Sequence, residues 1–170
     1  MAQVKRWARP QEWVALAVAL AGCRASPATE LGASSTSSAP ARSGGHVVLE
    51  HAAPGSVESA IVDRMAAARA AKRRFVVYVG ATWCEPCQRF HKAAEHGELD
   101  ATFPDLTLLE FDADADGRRL ALAGYVSKYI PLFALPNGDG RASGQQIEGG
   151  VKGDSAVANI VPRLLELLAR

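Results

Sequence analysis

The chain has 170 residues, 48% hydrophobic and 22% charged, with a net charge of +1, which is the balance of one globular domain with appendages. Without residues 1–22, which hold Lys5, Arg6 and Arg9 against Glu12, the net charge becomes −1. A near-neutral surface argues against nucleic acid as a partner and against strong steering of charged ligands. The three cysteines, Cys23, Cys84 and Cys87, are too few for a disulfide-stapled scaffold.

Residues 1–22 read as a signal peptide. A basic start precedes the apolar run Trp13 to Ala21, which is nine residues long and too short to span a bilayer. The run ends in Leu20-Ala21-Gly22-Cys23, which resembles the bacterial lipobox. The resemblance implies that Cys23 is lipidated and becomes the mature N-terminus. The alternative is an ordinary signal peptide cleaved near Ala21, with Cys23 incidental. Arg24, rather than Asp, follows the cysteine, which under the familiar sorting rule favours the outer membrane. The sequence leaves the choice of membrane open. Residues 23–45 form a lipidated start and a flexible linker, since Ala, Ser, Thr, Gly and Pro fill 18 of the 22 positions from Arg24 to Gly45.

The folded domain is expected over 46–170. His46 to Glu50 suits a short strand, and Ser56 caps a helix to about Lys72 with Val57, Ile61, Met65 and Ala68 on one face. Phe75 to Val79 (FVVYV) is a continuous apolar run, as in a strand buried on both faces. Arg73 and Arg74 before it read as a solvated helix end. A second helix runs from near Cys84 to about His96, and Leu106 to Phe111 is a third strand. A short helix over Asp116 to Tyr125 offers Leu120 and Leu122 to the core. Leu132 to Leu135, the Asn137-Gly138 turn and Ala142 to Glu148 form a hairpin. The last helix is capped by Asp154 or Ser155. Its apolar stripe is Val157, Ile160, Val161, Leu164, Leu165 and Leu168, and Pro162 is expected to kink it. The order β-α-β-α-β-α-β-β-α implies an α/β fold: a central mixed sheet with helices on both faces.

Trp83-Cys84-Glu85-Pro86-Cys87 follows a buried strand and opens a helix. Two intervening residues let the sulfurs reach bonding distance, and the unpaired N–H groups of a helix start stabilise a thiolate. Cys84 is therefore the attacking thiolate, facing outwards. Cys87, more shielded, resolves the mixed disulfide. Pro86 suits an early helical position. Glu85 sets a negative charge beside Cys84, which opposes its ionisation and makes the pair more reducing.

On these residues the chain resembles the thioredoxin superfamily. Tyr129-Ile130-Pro131-Leu132, about 45 residues after the pair, sits where thioredoxins carry a cis-proline. The resemblance, which takes in Asn137 to Gly140, Gly149-Gly150 and the last helix, implies a thioredoxin fold. It also implies a cis Pro131 beside the disulfide and an Ile130 backbone that pairs with extended substrate. Trp83 suits the core by type, but its place beside Cys84 puts it at the rim of the substrate surface. The WCEPC variant is similar to that of extracytoplasmic thioredoxin-like reductases, without the insertion typical of that branch. One departure is Tyr78, six residues before Cys84, where thioredoxins often bury an Asp that takes the proton of the second cysteine. Tyr78 does not serve so at neutral pH, leaving water, Glu85 or another group.

Other readings stay open. Cys84, Cys87 and His91 suit a shared helical face and a copper or zinc site, although the strand-turn-helix context favours redox exchange with no metal. His46, His51, His91 and His96 read as surface residues. Asp112, Asp114, Asp116 and Gly117 resemble half a calcium loop, but Ala123 stands where its bidentate Glu belongs, which favours capping of a helix. The expectation is a membrane-tethered thiol-disulfide oxidoreductase on the periplasmic side of a bacterial envelope. It reduces protein disulfides without a bound cofactor and draws electrons from a transmembrane thiol donor. The alternative is a thioredoxin-fold binding module or copper carrier without redox turnover.

Overall fold

The computed structural model describes residues 45–170. The expectations for the signal peptide, for Cys23 and for the linker up to residue 44 lie outside the described residues. The elements are β1 (Val48–His51), α1 (Val57–Ala70), β2 (Arg74–Gly80), α2 (Glu85–Glu95) and β3 (Leu106–Asp112), followed by α3 (Ala113–Leu122), β4 (Leu132–Pro136), β5 (Ala142–Glu148) and α4 (Ala156–Leu168). The sheet order is β1-β3-β2-β4-β5. β1, β3 and β2 run parallel, while β4 is antiparallel to both β2 and β5. Every strand of the apolar centre is buried on both faces, which is why β2 and β3 read as unbroken hydrophobic runs.

Two cores divide at the sheet. On one face, Val76, Tyr78, Leu106 and Leu108 pack against Phe90, Ala93 and Ala94 of α2 and against Ile160, Leu164 and Leu167 of α4. On the other, Val77, Val79, Leu109 and Phe111 meet Val57 and Ile61 of α1 and Leu120 of α3. Alternation along each strand sends neighbours to opposite cores. Phe90 and Phe133 meet edge-on with ring centroids 4.8 Å apart, anchoring α2 over β4.

Several sequence expectations need correction. α3 begins three residues early because Asp112, not Asp116, caps it: its carboxylate accepts from the amides of Asp114 and Ala115. Leu120 is buried, but Leu122, two residues on and about 200° round the helix, points outwards, 71% exposed. α4 buries Ala156, Ile160, Leu164 and Leu167, so Leu165 lies on the outer side, and the helix continues through Pro162. Ser155 caps α4 in position only, since its side chain makes no capping bond. Arg73 and Arg74 are not a solvated helix end. Arg73 donates to Thr107 Oγ1 (2.9 Å) and to backbone carbonyls of His46 and Leu106, and Arg74 opens β2 and pairs with Asp105 (2.9 Å). Both guanidinium groups fasten the starts of β2 and β3 together.

Candidate functional site

β2 delivers the chain at its carboxyl end to Ala81, Thr82 and Trp83, and α2 starts there. Cys84 is the helix N-cap, and its sulfur accepts from the Cys87 amide (3.3 Å) in place of a capping hydroxyl. Cys84 and Cys87 are joined in a disulfide. Pro86 fills the first turn of α2, where its missing N–H costs nothing. The pair sits in an apolar setting of Ala81, Ala113 and Ile130. Contrary to the outward-facing Cys84 expected from sequence, the two cysteines are almost equally covered, 5% and 2% exposed. They differ in which way they open. Cys84 lines a surface groove of about 770 Å³ with Trp83, Tyr129 and Ile130, and Cys87 lines a separate cleft of about 490 Å³ with Tyr78, His91 and Glu110.

The groove is built from three segments. Antiparallel pairing of Val79 with Leu132 carries residues 130–131 alongside the end of β2. The Ile130–Pro131 peptide is cis, and Gly149, with φ +70°, donates its N–H to the Pro131 carbonyl (2.8 Å). A side chain at Gly149 is strained in that conformation and its Cβ meets Tyr129 at 3.2 Å. Glu148 accepts from the Lys128 amide (2.7 Å), which fixes the approach to Ile130. Among the described residues no hydrogen bond engages the Ile130 amide or carbonyl. Trp83 is 67% exposed, and its indole N–H donates to Asp114 (2.7 Å) at the start of α3. Asp114 therefore orients the ring, a contact that sequence reading missed because thirty-one residues separate the two.

The domain has the thioredoxin fold. Its mixed sheet, its two helical layers and its cis-proline loop beside the disulfide are those the resemblance implied. No family model and no curated protein matches the sequence. Among solved structures the chain is similar to thioredoxin O1 from Arabidopsis thaliana in its oxidized state, at 22% identity and a TM-score of 0.43, over 73% of this chain and 96% of that one. It is also similar to Trichomonas vaginalis thioredoxin, at 24% identity and a TM-score of 0.45, over 70% of this chain and 94% of that one.

Two charge assignments change. Glu85 is not a free charge facing Cys84. Its carboxylate accepts from Arg89 Nε (2.9 Å) and from the Gly153 amide (3.1 Å), and Arg89 also pairs with Asp154 (2.9 Å). The Arg89 hydrogen bond first, and the Gly153 amide second, hold the Glu85 carboxyl below its ordinary range. Glu85 thus stays ionised with its charge offset by Arg89, and the reducing effect expected of it loses its basis. His91, expected as a solvated residue, points at β3: Nδ1 lies 3.2 Å from Glu110 and Nε2 lies 3.1 Å from Glu95. Both ring nitrogens thus face carboxylates. The acidic run 112–116 caps α3 and pairs with Arg119, as the capping reading holds.

Beneath Cys87 lies Tyr78, whose hydroxyl donates to the Cys87 carbonyl (3.2 Å). Burial, and secondarily the charge of Glu110, raise its pKa well above the ordinary tyrosine value. Gly80 makes room for this contact, since a Cβ there sits 2.9 Å from the Tyr78 hydroxyl.

Proposed function

We propose that the chain is a thiol-disulfide oxidoreductase that reduces disulfides in other proteins while tethered to the bacterial cell envelope, on the periplasmic side, through lipidated Cys23. The observation that carries the chemistry is the Cys84–Cys87 disulfide at the N-terminus of α2, with Cys84 opening on a groove rimmed by Trp83, Tyr129 and Ile130. In the dithiol form, Cys84 attacks a substrate disulfide and one substrate sulfur leaves as a thiol. Cys87 then attacks Cys84, re-forming the disulfide and releasing the second substrate sulfur. Ile130 offers an uncommitted backbone amide and carbonyl beside the pair, suited to an extended substrate segment.

The direction of flow rests on the surroundings of the pair. Ala81, Ala113 and Ile130 enclose it. Apolar enclosure disfavours a thiolate, and a dithiol whose thiolate is weakly stabilised is a stronger reductant. The location rests on the sequence of residues 1–45: a basic start, a short apolar run, a lipobox-like Cys23 and a linker. Electrons then come from a transmembrane thiol donor, because soluble cytoplasmic reductants lie across the membrane. No bound cofactor is needed, since the Cys84–Cys87 dithiol itself carries the electron pair and becomes the disulfide on giving it up.

A trapping experiment tests this. Cys87→Ser, expressed in a bacterial envelope, is expected to accumulate mixed disulfides through Cys84 that reducing agent releases. Cys84→Ser is expected to accumulate none. Equal capture by the two variants, or partners that resist reducing agent, contradicts a redox role and points to a binding module.

A further inference from the structure

The cleft behind the disulfide is lined by Cys87 and by the carboxylate of Glu110. A thiol must lose its proton to attack, and Cys87 is 2% exposed, so bulk water reaches it poorly. Tyr78 beneath it donates its own hydroxyl proton to a carbonyl and is no acceptor for another at neutral pH. Glu110 is Tyr78's register partner on β3, so the two side chains leave the sheet on the same face, towards α2. It lines the same cleft as Cys87. Its side chain is 16% exposed, and Oε2 is buried without a hydrogen bond. Oε2 lies 3.0 Å from His51 Nδ1, an ion contact not aligned as a hydrogen bond. A buried carboxylate oxygen left unpaired is costly, and such groups call for an explanation.

The other acids facing this cleft are committed. Asp112 caps α3, and Asp116 pairs with Arg119 (2.8 Å) and accepts from the Asp112 amide (3.0 Å). Glu95 is exposed and bound to His91. The nitrogen-bearing side chains facing Glu110 are Lys92 and His91 from α2 and His51 from β1. Cys87, His91 and Glu95 follow at intervals of four along α2, a single helical stripe over Glu110. His51, 78% exposed, stands at the solvent end of this row.

We infer that Glu110 is the proton acceptor for Cys87 in the resolving step, with His91 and His51 positioning its carboxylate and passing the proton to solvent. This rests on the oxidoreductase reading above. The Cys87 thiol proton moves to Glu110, directly or through water in the cleft. The Cys87 sulfur then attacks Cys84, the Cys84–substrate bond breaks, and its electron pair leaves on the substrate sulfur, which takes up a proton. One disulfide forms and one breaks.

The test uses the full chain with Cys23→Ser, so that only two thiols react, and dithiobis-nitrobenzoate as the disulfide. The first equivalent of coloured thiolate reports attack by Cys84 and the second reports resolution by Cys87. In Glu110→Gln the second phase is expected to slow by on the order of 10²-fold at neutral pH while the first keeps its rate. Its rate should also rise with pH throughout, where the parent levels off. Acetate or imidazole should restore the second phase in Glu110→Ala, because the cleft is open, and a merely structural role yields no such rescue. An unchanged second phase, or equal slowing of both phases, overturns the inference. Absence of the first phase in the parent overturns the oxidoreductase reading itself. Should these variants fail to fold, carboxyl NMR titration of Glu110 in the parent decides. An inflection that moves between the dithiol and disulfide forms is expected, and one that does not move overturns the proposal.

Discussion

The two sides of the disulfide are built by different means. On the Cys84 side, Trp83, Ile130 and Tyr129 form a groove from loops, held by the Gly149 amide on the Pro131 carbonyl, by Glu148 on the Lys128 amide and by Asp114 on the Trp83 indole N–H. On the Cys87 side, Tyr78, Glu110 and His91 stand on β2, β3 and α2, the most buried part of the fold. Loops give a surface that partners of varied shape can meet, while two strands and a packed helix hold carboxylate, imidazole and sulfur in fixed relation. One side suits recognition and the other proton handling, with the S–S bond between them.

That division can be broken by substitution. The largest effect is expected from Cys84→Ser, which removes the attacking sulfur and should abolish turnover with any disulfide substrate while leaving the fold intact. Next comes Phe90→Ala. Phe90 is fully buried between Tyr78 and Phe133 and carries α2 on the sheet, so its truncation should cost about 3–5 kcal/mol in urea unfolding. Both sides of the disulfide should suffer together, because α2 bears both cysteine contacts.

Smaller effects separate the sides. Trp83→Ala removes an exposed ring and its bond to Asp114, and should weaken protein substrates several-fold, about 1 kcal/mol, in KM. The resolving step with a small aromatic disulfide should keep its rate. A change in that step instead would mean that the groove and the cleft are one site. The smallest effect concerns Arg74 and Asp105. The Arg74 hydrogen bond holds the Asp105 carboxyl below its ordinary value. A depressed folded pKa stabilises the fold above the unfolded value, and that gain is lost as pH falls through the folded one. Both groups are partly exposed, so Asp105→Asn should cost about 0.5 kcal/mol at neutral pH. The difference from the parent should shrink below about pH 4 in acid unfolding curves.

Much of this was legible in the sequence where the cause is local. FVVYV reads as a buried strand from its own composition, and WCEPC after it marks a helix start because the spacing of the cysteine pair and an early proline suit that place. The Ile130-Pro131 segment was found by resemblance. What the sequence hid depends on strand order. Arg73 looks like a helix end until β3 is laid beside it and supplies Thr107 and the Leu106 carbonyl. Glu85 reads as a bare charge until α2 places Arg89 one turn on and the loop before α4 brings Gly153. Glu110 did leave a signal: it is the single charged residue in LTLLEF, inside an otherwise apolar strand. Only the pairing of β1 and β2 with β3 reveals that His51 and Tyr78 flank it. The start of α3 was misplaced because three aspartates in alternation offer three equivalent caps, and the end of β3 selects Asp112.

The reduction potential of the Cys84–Cys87 pair tests the central claim most directly. The chain carrying Cys23→Ser is equilibrated in thiol buffers of set poise, alkylated and read by mass. The account predicts a single two-electron transition near the thioredoxin value of about −270 mV. A value near about −120 mV would make the pair an oxidant and contradict the reductase reading, and failure to form the disulfide at any poise would contradict thiol-disulfide exchange altogether.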